Sequence, residues 1–313
     1  MIEFLVNWAA NVPAFAVPFA LAALGLIVTE KSGVLSLGAE GYLLMGALAG
    51  AGASIVIGDH ALVAFAAGAL AAAALSLVFA LMAVTLRVNQ VVAGLVMVFL
   101  AQGLTGLIGT QQGWTNRPIA GLDRIPLGPL ADFPVLGPIL FRQDMLVYLT
   151  LPIFFGVAYL LSRTMVGLRL RAVGDAPEAA DAAGTSVAVY RYGAIVAGAA
   201  IVGLAGAYLS VGVAKMWVEG MSGGRGWIAV ALVIFSRWQP WRALAGAVLF
   251  GGIEALIPRI AAVGLQVPQY FMLMTPYVAT LAVMVYANLN KSTERRFDEP
   301  RGLGQPYLRE ERR

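Results

Sequence analysis

The 313-residue chain is 60% hydrophobic and 12% charged, with 21 Lys plus Arg, 17 Asp plus Glu and a net charge of +4. Soluble domains carry about 25% charged residues, so this chain has about half the usual means of covering itself with water-wetted surface. That balance excludes an ordinary soluble enzyme and points to a bilayer. The absence of cysteine excludes disulfide stapling and cysteine-based metal or redox chemistry, and the single His60 cannot build a histidine-rich metal site. At about 20 residues per spanning helix, the length accommodates about nine crossings and leaves no room for a separate catalytic domain.

The expected fold is therefore all-α, a polytopic membrane helical bundle of about nine segments, counting short or re-entrant ones. Met1 to Ala10 has Glu3 in place of a basic leader region and no small-residue cleavage site, so it reads as retained sequence. The first span runs from about Pro13 to Val28 and the second from about Leu37 to Ile57. Asp59 and His60 separate it from a third, Ala61 to Leu86, whose Ala and Leu runs suit close helix packing. Four residues, Arg87 to Gln90, precede a fourth span to Gly109, so the third and fourth form a tight antiparallel pair.

The apolar pattern then stops. Residues 110–143 contain five prolines, which argue for a loop with at most a short surface helix. A fifth span covers Met145 to Leu161, a polar segment fills 162–192, and a sixth span covers Gly193 to Val213. Trp227 to Phe235 is too short to cross comfortably and reads as tilted, extended through Gly223 and Gly224, or re-entrant. The turn Arg237 to Arg242 joins it to a second short stretch, Leu244 to Ile257, and a last span covers Tyr270 to Leu289. Residues 1–292 thus form one transmembrane domain, with an external insert at 110–143, a cytoplasmic segment at 162–192 and a cytoplasmic tail at 293–313.

Basic residues choose the orientation. With the N-terminus outside and the C-terminus inside, fifteen Lys and Arg face the cytoplasm; Arg117, Arg124, Arg142, Lys215, Arg225 and Arg259 face out. This matches the positive-inside rule and assigns the net charge to topology rather than to nucleic acid.

Several polar residues interrupt the spans. Glu40, near one end of the second, must avoid lipid, which leaves a capping or packing role and a role in a translocation path or gate both open. Gln90, Gln102 and Thr105 flank or enter the fourth span; Gln102 is the most interior and suits either a cavity lining or an interhelical hydrogen bond. Glu254 poses the same question in the eighth segment. Trp114, Trp227, Trp238 and Trp241 lie near span boundaries, where interface anchoring is their expected role. No GxxxxGK[ST] run is present and no serine, histidine and acid arrangement is evident, so binding or transport is favoured over catalysis.

In the polar segment, Asp175 can cap a helix with Pro177 in its first turn and Glu178 close behind, and Gly184 can end it. A short exposed helix anchored by spans on both sides can press into a partner's groove, although a plain loop is an equal reading of these residues alone. The run Gly167 to Gly174 followed by Glu178-Ala179-Ala180 and, four residues on, Gly184 resembles the coupling motif of ABC importer permeases of the ribose, simple-sugar and nucleoside group. Thr29 to Gly41 is similar to the early segment of nucleoside-type members, with Ser36 and Ala39 where Asn and Leu are expected. Asn89 to Gly94, Gln102 to Thr105, Phe250 to Leu256 and Met274 to Thr280 extend the resemblance over most of the chain.

The resemblance implies a division of labour. This chain forms half of a channel in the bacterial plasma (inner) membrane, and a second, different permease forms the other half as a heterodimer. A cytoplasmic ABC ATPase, which carries the ATP and Mg, engages Arg171, Asp175, Glu178, Ala179, Ala180 and Gly184. An external or periplasmic binding lipoprotein delivers a nucleoside, with ribose or another simple sugar as the near rival and branched-chain amino acids further behind. Glu40, Gln90, Gln102, Thr105 and Glu254 are the candidate path or gate residues. No cofactor or metal is expected on this chain, and a channel or ion-coupled transporter without an ATPase is the alternative class.

Overall fold

The structure, a computed structural model, describes residues 2–58, 60–262 and 299–307, together with the single helical positions Met274, Val278, Leu281 and Val285. Its helices are α1 (Ile2–Glu30), α2 (Ala39–Ile57), α3 (Ala61–Ala80), α4 (Gln90–Gln111), α5 (Met145–Arg163), α6 (Met165–Asp175), α7 (Pro177–Ala182), α8 (Val187–Tyr208), α9 (Arg225–Ser236) and α10 (Pro240–Ala262). Turns of π-helix prolong α3 to Thr85 and α8 to Ala214. Among the described residues, α1, α2, α3, α4, α5, α8 and α10 are long and apolar enough to cross a membrane. The chain is a multi-pass, all-α membrane protein.

Eight of the expected segments coincide with helices. The ninth, about Tyr270 to Leu289, lies outside the described residues except for Met274, Val278, Leu281 and Val285, whose spacing of four, three and four puts them on one helical face. Several boundaries differ: α8 begins at Val187 rather than Gly193, and the starts of the first and eighth segments also move. The first span begins near residue 2, because α1 absorbs Pro13 and Pro18. A membrane helix tolerates proline where its surroundings compensate; close by, Gln143 Nε2 donates to Ala10 O at 2.9 Å. The expected turn ends at Gln239, since Pro240 suits a first helical turn; Trp241 and Arg242 therefore belong to a full-length, 23-residue α10.

The core is formed by α1, α2 and α8, which are buried on most sides, while α3, α4, α5 and α10 turn apolar flanks outward. Such all-round apolar helices belong at the centre of a bundle. Small residues let them touch backbone to backbone: a Cβ on Gly46 would run into the backbone of Gly203, and one on Gly203 would run into Gly68 O.

Contacts sort the loops into two ends. At one, Trp238 Nε1 donates to Glu30 Oε2 (2.6 Å), Leu35 N to Gln90 Oε1 (2.7 Å), and the hydroxyls of Thr85 and Tyr192 share a hydrogen bond of 2.6 Å. At the other, Arg124 Nη2 donates to Asn11 Oδ1, and the insert forms bridges Thr115 to Trp217 and Pro118 to Met216. The insert is irregular as its prolines require, with one two-residue antiparallel pair, β1 (Ile125–Pro126) and β2 (Arg142–Gln143), and a single 3-10 turn and π turn.

Candidate functional site

The short helix α9 has 12 residues, about 18 Å, against a hydrocarbon core of about 30 Å. Its C-terminal side is fixed at the end that holds Glu30, through Trp238, so its N-terminus stops inside the bundle. Glu40, at the start of α2, meets it there. Glu40 Oε1 accepts from Ser222 Oγ (2.6 Å) and Gly224 N (2.7 Å), and Oε2 accepts from Gly226 N (2.6 Å). The positive end of a helix dipole and unpaired N–H groups favour a carboxylate, so Glu40 is a buried cap supplied from another helix.

Arg225 extends this network to Glu254. Its Nη2 lies 3.1 Å from Glu254 Oε2, and its Nη1 donates to Met221 O and Ser222 O, both at 3.1 Å. Glu40 and Glu254, proposed separately above, are thus joined through the turn 221–226. Arg225, counted above among the outward-facing cations, instead lies within the bundle: an intramembrane cation is stable only when paired, and Glu254 is its partner.

On α4, Gln102 is exposed and lines an open cleft of about 470 Å³ with Phe99, Thr110, Gln111 and Glu219. Glu219 reaches over α4: its Oε1 would lie 3.2 Å from a Cβ placed on Gly106. Glu219 escaped the sequence reading. The available signal was an acidic residue isolated in the glycine-rich run Val218 to Gly224, between two apolar stretches. Thr105 is buried and donates to Gln102 O within its own helix (3.2 Å), away from the cleft, and Gln90 latches the loop before α2 through Leu35.

The polar segment contains two helices where one was expected. Asp175 does not cap the second. The first, α6, continues through Asp175, and Ala176 N still donates to Ala172 O. The break falls at Ala176 (φ −147°, ψ 79°) because Pro177 removes a donor and disfavours helical backbone in the residue before it. Pro177 then starts α7. Glu178 and Ala179 are exposed on α7, Ala180 is buried against Val173 and Val187, and Gly184 (φ +80°) closes the turn after it. Arg171 and Asp175 line a cleft with Lys31. These residues form one patch, whereas Glu40, Arg225 and Glu254 form another, deeper in the bundle.

Trp238 departs from the expected anchoring role, being buried with its indole N–H on Glu30. Trp241 keeps an exposed edge and packs on Phe155 at 4.7 Å. Tyr208 donates to Asp144 Oδ2 at 2.5 Å, and the same carboxylate caps α5 by accepting from Leu146 N and Val147 N.

Residues 9–285 match the family described as branched-chain amino acid transport system / permease component. A putative glucose ABC transporter permease of Haloferax volcanii is 38% identical, over 93% of this chain and 94% of its own length. A guanosine ABC transporter permease of Bacillus subtilis is 32% identical, over 95% of each. A nucleoside ABC transporter permease of Lactococcus lactis is 30% identical, over 88% of this chain and 90% of its own. No solved structure matches the chain. With seven membrane-length apolar helices and an interior capped half-helix among the described residues, and with relatives matched along nearly their whole length, the chain belongs to this permease family, as an ABC transporter permease of the sugar and nucleoside type.

Proposed function

We propose that this chain is one half of the translocation unit of an ATP-driven importer and that its cargo is a nucleoside. The observation that carries the coupling role is the exposure of Glu178 and Ala179 on α7, a helix held between α6 and α8 at the end where the loops 31–38 and 237–239 meet. A cytoplasmic ABC ATPase, with its ATP and Mg, binds α7 and moves it; this chain hydrolyses nothing. That end faces the cytoplasm of a plasma membrane by the basic-residue distribution. A binding lipoprotein docks on the opposite end, where the insert 110–143 lies.

The exposed polar row on α4 supports a second, homologous but different permease as the other half. Gln102, Thr110, Gln111 and Glu219 would be costly against lipid, and a facing subunit turns their cleft into an enclosed path. Hydroxyl-rich cargo suits such hydrogen-bonding groups. The two relatives named for guanosine and nucleoside support the nucleoside; the 38% identical relative supports a simple sugar as the second reading.

Reconstitution of the permease pair with its ATPase and binding lipoprotein tests this. ATP-dependent uptake of radiolabelled nucleoside, undiminished by excess glucose, is expected. Glucose uptake that nucleosides do not compete would select the second reading, and uptake without ATP would reject both.

A further inference from the structure

The far end of the chain is built into the same patch as α7. Residues 299–307 cross three separate parts of the bundle: Gly302 N donates to Gly174 O (2.9 Å), Gly304 N donates to Gly33 O (3.1 Å), and Arg191 Nη1 donates to Gln305 O (3.2 Å). Arg191 is 2% exposed with the strap in place, so the last of these bonds is made by a buried cation. Leu303 packs against the main core, and Tyr307 packs against Val173, Ala180 and Val187. Ala180 is the buried residue of α7. The segment is therefore a strap that ties the α1–α2 loop, the end of α6 and the first turns of α8, and its last described residue braces α7 from behind.

The close approach is specific. A Cβ on Gly302 would lie 2.8 Å from Gly174 O and 3.6 Å from Pro177 Cδ, so any larger residue pushes the strap off α6 and the start of α7. Two clefts separate the strap from these helices. One, about 480 Å³, has Glu178 and Ala179 on one wall and Arg301, Gln305 and Tyr307 on the other. The second, about 440 Å³, joins Lys31 and Arg171 to Glu299 and Arg301.

Size identifies what the strap adds. A stable protein interface takes about 800 Å² and some 20 residues from each partner. The helix α7 has six residues, spans about 9 Å, and has one side buried. It is too small to hold a partner alone. The strap's exposed Arg301, Gln305 and Pro306 continue the same surface.

We infer that residues 299–307 form the second half of the ATPase docking surface and hold α7 in position for it. The inference rests on the reading of α7 as the coupling helix. A partner surface that reaches Glu178 enters a cleft whose other wall is Arg301 and Gln305, so it meets the strap whenever it engages α7.

The chain has no cysteine, which permits a clean test. Glu178→Cys and Arg301→Cys are made singly at exposed positions, labelled with benzophenone maleimide and illuminated in the purified importer containing both permeases and the ATPase. Capture of the ATPase from both positions is expected. Capture from Glu178→Cys without capture from Arg301→Cys overturns the inference and leaves the coupling reading standing; capture from neither overturns both. Gly302→Val in the same importer, with assembly checked by co-purification of the second permease, is expected to lower transport per ATP hydrolysed several-fold and to reduce capture from Glu178→Cys. Unchanged values for both would show that the strap does not position α7.

Discussion

Glu40 and Gly226 stand 186 positions apart in sequence, yet the carboxylate Oε2 of one accepts the backbone N–H of the other at 2.6 Å. The bond closes the interior N-terminus of α9 with a side chain from the first turn of α2. The starts of α2 and α9 are thereby locked together. The price of an interior helix end is four unpaired N–H groups, and Glu40 with Ser222 offsets part of it.

Replacing Glu40 with Ala removes the acceptor for Ser222 Oγ, Gly224 N and Gly226 N together. Each stranded buried donor costs about 1–3 kcal/mol, so the expected loss is several kcal/mol of stability and low yield of folded permease. Glu40→Gln keeps an acceptor oxygen and is expected to recover much of the folded protein. Thermal unfolding in detergent, read beside uptake at matched complex level, separates the capping role from a gating role. A fully folded Glu40→Ala protein that fails only in transport would contradict the cap.

The pair Arg225 and Glu254 invites a double-mutant cycle. Removing one partner of a fully buried ion pair costs about 3–5 kcal/mol, while replacing both with apolar groups is often near neutral; this pair keeps 21% and 12% side-chain exposure, so a smaller cost is expected. Arg225→Met is expected to be the more damaging single change, because that side chain also holds Met221 O and Ser222 O. Arg225→Met with Glu254→Met is expected to regain part of the loss. Additive unfolding penalties in the double variant would show that the two groups do not stabilise each other.

The sequence exposes those features that depend on neighbours along the chain and hides those that depend on distant ones. Apolar runs locate the crossing helices, and Pro177 and Gly184 mark the limits of α7, because each acts on its own backbone. The capping role of Glu40 stood open because its partners lie 182 to 186 residues away. Trp238 looked like an interface anchor because nothing local announces Glu30, 208 residues upstream, as its acceptor. Arg225 could not be separated from true surface cations without Glu254. The double helix in the polar segment was partly legible: Pro177 explains the break, but the cap attributed to Asp175 required knowing that α6 still holds Ala176 N.

Close packing at the centre gives a second stability test. A Cβ on Gly46 meets backbone atoms of Gly203, which cannot move aside as a flexible side chain could. Overpacking of this kind costs about 1–3 kcal/mol. Gly46→Val is expected to lower the unfolding temperature markedly, whereas Gly103→Ala, where a Cβ meets nothing within 4 Å inside α4, is expected to keep or slightly raise it. Equal unfolding temperatures for the two variants would show that α2 and α8 do not approach as closely as described.

At Gly184 the constraint is conformational. Nothing lies within 4 Å of an added Cβ, but φ is +80°, where a side-chain-bearing residue costs about 1–2 kcal/mol and a β-branched one is especially strained. Gly184→Val is expected to insert and assemble normally, since it touches no packed surface, while distorting the turn in which Gly184 N donates to Asp181 O and Thr185 N to Ala180 O. ATP hydrolysis without matching uptake is the expected phenotype, and Gly184→Asn, a residue that tolerates this backbone, is expected to restore coupling in part. Normal coupling in Gly184→Val would detach the turn from the ATPase-driven step.

The α4 cleft separates cargo handling from folding. Gln102 and Glu219 are exposed, and neither makes a hydrogen bond that holds a helix in place among those described, so their substitution is expected to leave unfolding temperature and assembly unaltered. If the cleft forms the path, Gln102→Leu and Glu219→Gln each remove hydrogen-bonding capacity for a hydroxyl-bearing solute, worth about 1 kcal/mol at a neutral contact and more at a charged one. A fall in uptake of fivefold or more at constant ATPase content is therefore expected, with the larger effect at Glu219. The control is Thr105→Val on the opposite, buried side of the same helix, whose hydroxyl bonds only to Gln102 O; it is expected to transport nearly normally. Loss of uptake in Thr105→Val together with full activity in Glu219→Gln would move the path away from this face of α4.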